Sequence, residues 1–149
     1  MNKQEFCLSD TIDIIEEVLA SGGEFRLFPK GVSMRPLIIQ GRDSVILKRK
    51  QGKPAGKHDI AFYRRGDGSF VLHRVMKICK DGSYIMCGDN QCVLEKDIYP
   101  EQIIGYVSEI YRGDKKISVS SFKYKLYVFL WTKMLVRKTV SWVSRHRKK

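Results

Sequence analysis

Tight turn signals cut the middle of this chain into short β-prone runs. The breaks include Gly66-Asp67-Gly68, Asp81-Gly82 and Gly113-Asp114. The runs are 25–27, 44–47, 59–63, 70–79, 84–87, 103–111 and 117–119. Short strands joined by tight turns read as a mostly β, antiparallel, curled domain. Asp81-Gly82 is the strongest hairpin signal. The 149 residues are about one domain's worth of chain, enough to build a real core.

The two ends follow a different period. Ser9-Asp10 precede Ile12, Ile15 and Leu19, which recur at helical spacing until Gly22-Gly23, so a short capped helix is expected over about 10–21. From Phe122, the residues Tyr127, Leu130, Trp131, Met134 and Leu135 again recur at helical intervals. The chain divides into an N-terminal helix (1–23), a β domain (24–114) and a basic helical tail (115–149).

Charge is distributed unevenly. Residues 115–149 hold eleven Lys/Arg and no Asp or Glu, whereas the first 114 hold 17 Lys/Arg against 16 Asp/Glu. A nearly neutral body with a basic tail points to an acidic partner for the tail. On a helix from Leu126 to Val143, Lys133, Arg137 and Ser144 share one face. Tyr127, Val128, Trp131, Leu135, Val136, Trp142 and Val143 occupy the other. A basic amphipathic helix with two tryptophans suits an anionic membrane surface, so residues 122–149 are expected to bind one peripherally. No recognised nucleic-acid motif accompanies the charge, and nucleic acid is not expected as a partner. No stretch reaches 18 uncharged apolar residues, so no spanning helix is expected. The acid-rich N-terminus does not read as a secretory signal. Cys7, Cys79, Cys87 and Cys92 have neither disulfide-framework nor zinc spacing and read as free thiols; no metal or other cofactor is expected.

Lys30-Gly31-Val32-Ser33-Met34-Arg35-Pro36 is the first segment with chemical promise. A glycine before the serine and a proline after it make a tight, stiff backbone that can hold a hydroxyl forward with an N–H beside it. A serine hydroxyl needs a base to take its proton. Of the three histidines, only His73 lies inside a predicted strand, where a rigid element can aim it.

Gly31-Val32-Ser33-Met34-Arg35-Pro36 resembles the nucleophile box of type I signal peptidases and of SOS-repressor self-cleaving domains. His58-Asp59-Ile60-Ala61-Phe62 looks like their Gly-Asp-Ile-x-x-Phe strand. Leu72-His73-Arg74-Val75 is similar to the box carrying the general base, in its histidine form. Gly88-Asp89-Asn90 matches the third box, and Ile103-Ile104-Gly105-Tyr106-Val107 resembles the closing strand. These motifs follow the family's order over residues 25–111.

The resemblance implies a signal-peptidase-like β fold with a helix at each end and a serine endopeptidase activity on a peptide or protein substrate. Ser33 would be the nucleophile and His73 its base, with Asp89 or Asp97 orienting the imidazole. Gly31, Ser33, Met34 and Pro36 would shape the oxyanion site. Two positions depart from the family pattern. Gly31 stands where a serine usually lends its hydroxyl to the oxyanion hole, so the hole would rest on backbone N–H groups, chiefly that of Ser33. His58 replaces the usual glycine. The family's N-terminal membrane anchor is not seen, so a cytoplasmic protein is expected, with the basic tail bringing it peripherally to the inner face of the membrane. The rival readings are a catalytically silent peptide- or membrane-binding module on the same fold and a self-cleaving regulatory domain.

Overall fold

The computed structural model describes residues 8–50 and 52–133. Helix α1 (Leu8–Ala20) leads into β1 (Phe25–Leu27), β2 (Asp43–Lys48), β3 (Ile60–Arg64), β4 (Phe70–Ile78), β5 (Tyr84–Cys87) and β6 (Glu95–Ile98). A 3-10 turn (Pro100–Gln102), β7 (Ile103–Arg112), β8 (Lys115–Ser118) and α2 (Phe122–Trp131) follow. The protein is mostly β, with one helix before its strands and one after them. The eight strands form one open sheet in the order β1-β2-β7-β3-β4-β5-β6, with β8 also pairing with β7. Every pairing is antiparallel. Register shifts interrupt β2/β7, β3/β7, β4/β5 and β5/β6. Such irregularities increase local twist and bend the strands, which curls the sheet.

Alternation along the strands builds two cores. In β3, Ile60 and Phe62 join one cluster while Ala61 and Tyr63 join the other, as a period of two requires. The larger cluster lies under α1, whose Ile12, Ile15 and Leu19 are buried against Val45, Leu47 and Ile110 among others. Fully burying one such side chain contributes roughly 1.5–3 kcal/mol. Helix α1 lies close to β7 because position 105 is glycine: a Cβ there would stand 2.7 Å from Leu19 Cδ1. The helix stops at Gly22-Gly23, with Gly22 in the left-handed region (φ 84°) and the Gly23 N–H donating to Val18 O at 2.9 Å. That is glycine's usual role at a helix C-terminus.

Strand β6 was not anticipated from the sequence. Glu95-Lys96-Asp97 is too charged to read as β, yet it pairs with β5 through Met86↔Glu95 and Tyr84↔Ile98. It forms the sheet's edge, where charged residues guard against further pairing. The Asp81-Gly82 turn does close the β4–β5 hairpin. Gly82 adopts φ 84°, and the Asp81 carboxylate accepts from the Ser83 N–H and hydroxyl at 3.1 and 2.7 Å.

His58 also finds a physical account. It sits in the left-handed region at φ 74°, a conformation that glycine adopts freely and other residues adopt at a cost. Its N–H donates to Val75 O at 2.7 Å, and its carbonyl accepts from Arg74 Nη1 at 2.9 Å. The backbone is therefore pinned where a side chain is unfavourable. His58→Gly should raise unfolding stability by on the order of 1 kcal/mol, read from urea denaturation. A loss of stability would show that the imidazole contributes more than the strain removes.

Candidate active site

The loop between β1 and β2 presents Ser33. Arg35 donates its N–H to Val32 O at 3.2 Å, so Ser33 and Met34 are the central residues of a tight turn. Gly31 enters it at φ 89°, and its N–H donates to Gln40 Oε1 at 2.7 Å. That amide is thus already engaged. The Ser33 N–H makes no hydrogen bond among the described residues and stands beside its own hydroxyl. Met34 anchors the turn by burying its side chain in the larger core. Pro36 follows through a cis peptide bond.

The segment after β5 clamps this turn. Asn90 donates its backbone N–H to Ser33 O at 2.8 Å and its side-chain amide to Val32 O at 3.2 Å. Gly88 lies so close that a Cβ there would stand 2.6 Å from Ser33 O. Gly88 and Asn90 together fix the position of the Ser33 backbone.

His73 approaches from β4. Arg74 pairs with Cys87, the last residue of β5, so the residues that follow β5 leave the sheet beside the part of β4 that carries His73. The segment that clamps Ser33 therefore continues from the strand that pairs with His73's own strand. No hydrogen bond joins them among the described residues. The imidazole is 1% exposed, and its Nδ1 lies 3.3 Å from Tyr63 Oη and 3.2 Å from Glu95 Oε1. Tyr63 donates to Glu95 Oε2 at 2.9 Å. Arg65 Nε donates to the same oxygen at 2.9 Å, while its Nη2 pairs with Oε1. A carboxylate facing Nδ1 favours the tautomer protonated there, which leaves Nε2 as the basic nitrogen.

The electrostatics agree with that assignment. Burial pushes His73 below the usual histidine range, against the attraction of Glu95 for the protonated ring. Burial alone would raise Glu95, but hydrogen bonds from Arg65 and Tyr63 hold it below the usual carboxylate range. The result is a neutral imidazole backed by an ionised acid.

The two aspartates expected to orient His73 stand elsewhere. Asp89 accepts from Arg74 Nε and Nη2 at 2.8 and 2.7 Å, and both side chains are 0% exposed. Tyr127 donates to Asp89 Oδ2 at 2.9 Å, and Trp131 Nε1 donates to the Asp89 carbonyl at 2.7 Å. Arg74 is raised further above its usual range: burial opposes its charge, but Asp89 more than offsets this. Asp97 is exposed on β6 at φ 57°. Glu95 takes the place beside Nδ1 instead. It lies between the two expected aspartates, five residues past Asn90. Requiring a carboxylate near the third box, without requiring aspartate, would have included it.

A cavity of about 470 Å³ adjoins Ser33. Met34, Phe62, Leu72, Leu27 and Phe28 give it largely apolar walls. No protein-family model matches the chain, and no curated protein matches it.

The two carboxylates should separate on mutation. Asp89→Asn leaves Arg74 buried without its counter-charge and should lower stability by about 3–5 kcal/mol. Glu95→Gln weakens a partly exposed ion pair with Arg65 and should cost less stability than that, but it should move His73 still further below its usual range, because the attraction for the imidazolium is lost. Urea denaturation and an NMR titration of His73 read the two effects. Similar stability losses in both variants, with His73 unmoved by Glu95→Gln, would contradict this division.

Proposed function

We propose that this chain is a serine endopeptidase of the signal-peptidase type that cleaves a leader or signal segment from a peptide or protein. The observation that carries the reading is a buried His73 backed by Glu95 on the strand beside β5, whose continuation through Gly88 and Asn90 clamps Ser33. The ordered motifs around Ser33, His73 and Gly88 support it. So does the apolar cavity, which adjoins Ser33 as a pocket for a substrate side chain would.

Ser33 Oγ attacks the scissile carbonyl while His73 Nε2 takes its proton. The Ser33 N–H stabilises the oxyanion. His73 then gives the proton to the leaving amine, and the acyl-enzyme is cleared by a water that His73 deprotonates in turn. Glu95 holds the Nδ1 proton and stabilises the imidazolium formed at each transfer; it is a positioning residue. Ser33 has no hydrogen bond to His73 in the free protein, and catalytic contacts often tighten only when substrate binds. That same gap favours the second reading, a silent peptide-binding module.

A library of synthetic peptides, analysed by mass spectrometry after incubation, tests both. Wild-type protein should cut a subset of peptides at defined bonds. Ser33→Ala and His73→Ala should each lower kcat/KM by at least about 10³-fold, with the double variant little worse. The profile should be flat near neutral pH, because His73 already lies below the usual histidine range. As pH falls through that lowered value the base becomes protonated, and kcat/KM should drop about tenfold per pH unit. Cleavage unchanged by Ser33→Ala would remove the nucleophile. Selective peptide binding without cleavage by the wild type would establish the silent module.

A further inference from the structure

Helix α2 is apolar on two opposite sides, and only one of them meets the body. Tyr124, Tyr127, Val128 and Trp131 form the docked side. Val128 is buried, and the other three hydrogen-bond to Arg74 or Asp89. The sequence placed Tyr127, Val128 and Trp131 on a membrane-facing side; here they turn inward. The remainder of that expected face, Leu135 to Val143, lies outside the described residues. At about 3.6 residues per turn, Phe122, Leu126, Phe129 and Leu130 line the outward side, and they are 78%, 46%, 59% and 47% exposed. A helix that is apolar all round is normally covered on both sides. Among the described residues, no helix is long and apolar enough to cross a membrane.

We propose that this outward stripe docks in the plane of an anionic lipid bilayer. Charge placement selects that occupant. Lys123 and Lys125 flank the stripe on its two sides, and Lys133 lies at its end with Nζ 4.5 Å from the Phe129 ring centroid. Lysines bordering an apolar stripe can bury their stems while their ammonium groups stay at headgroup level. The sequence from 134 to 149 adds Arg137, Lys138, Arg145, Arg147, Lys148 and Lys149, and no acid follows Asp114. A second copy is a poor occupant, because a two-fold contact would set these lysines against their own counterparts. The docked side of the same helix is bonded to Asp89, between the Gly88 and Asn90 that clamp Ser33. Binding would therefore hold the candidate site near the lipid surface. The inference is independent of the proteolytic reading.

Co-sedimentation of the full chain with vesicles is the test. It should pellet with phosphatidylcholine and phosphatidylglycerol in equal parts, not with phosphatidylcholine alone, and less as salt rises. Leu126→Ser/Phe129→Ser alters only exposed side chains, so it should stay folded by circular dichroism while binding falls about tenfold or more. Lys123→Glu/Lys125→Glu leaves the apolar stripe intact and should weaken binding to the phosphatidylglycerol vesicles severalfold. Failure of the wild type to pellet at low salt would overturn the proposal, as would undiminished binding by the apolar double variant. A wild-type dimer in ultracentrifugation that the apolar variant dissociates would assign the stripe to a second copy instead.

Discussion

The ion pair of Arg74 with Asp89 is the contact on which most of this molecule depends. Both side chains are fully buried, and removing two charges from water is unfavourable unless geometry and further hydrogen bonds compensate. Here Arg74 makes a two-point contact with Asp89 and also reaches the His58 carbonyl and Tyr124. Asp89 takes in addition the Tyr127 hydroxyl. One pair thus ties together strand β4, the turn before β3, the segment after β5 and helix α2. Since Gly88 and Asn90 flank Asp89 and clamp Ser33, the position of the proposed nucleophile follows from the same pair.

Strand geometry then separates structure from chemistry. Neighbours on a strand point to opposite faces, so Arg74 and His73 work in different surroundings one residue apart. Arg74 faces the Asp89 carboxylate in a sealed site. His73 lies on the Tyr63 side, where Glu95 is partly solvated and held by Arg65. Burial keeps the ring neutral while the acid stays charged. Divergent environments let one small fold keep a buried ion pair and a neutral imidazole side by side.

Much of the β domain was legible because its signals are local. Period-two runs and glycine turns specify β2 to β5 and β7 within a residue or two, and Gly22-Gly23 marks the end of α1. Strand β6 was hidden because its pairing with β5, not its composition, makes it a strand. Ser33 and His73 stand out in the sequence through their motifs, and Gly88 and Asn90 of the third motif lie against Ser33. The acid beside His73 was not identifiable, because which carboxylate reaches Nδ1 depends on the fold of the chain after Asn90. The same is true of α2. Helical spacing revealed its apolar residues, but only tertiary contacts decide that Tyr127 and Trp131 face inward while Phe122 and Phe129 face out.

On the proposed reading, His73 is neutral, protonated on Nδ1 toward Glu95 and able to accept a proton on Nε2. Long-range proton–nitrogen NMR correlation of the full-length protein, labelled with nitrogen-15, reads the tautomer without any substrate. At neutral pH the account predicts a protonated Nδ1 and an unprotonated Nε2 for His73, with that state surviving below the usual histidine pKa of about 6.5. A ring protonated on Nε2 alone, or an imidazolium at neutral pH, would contradict it.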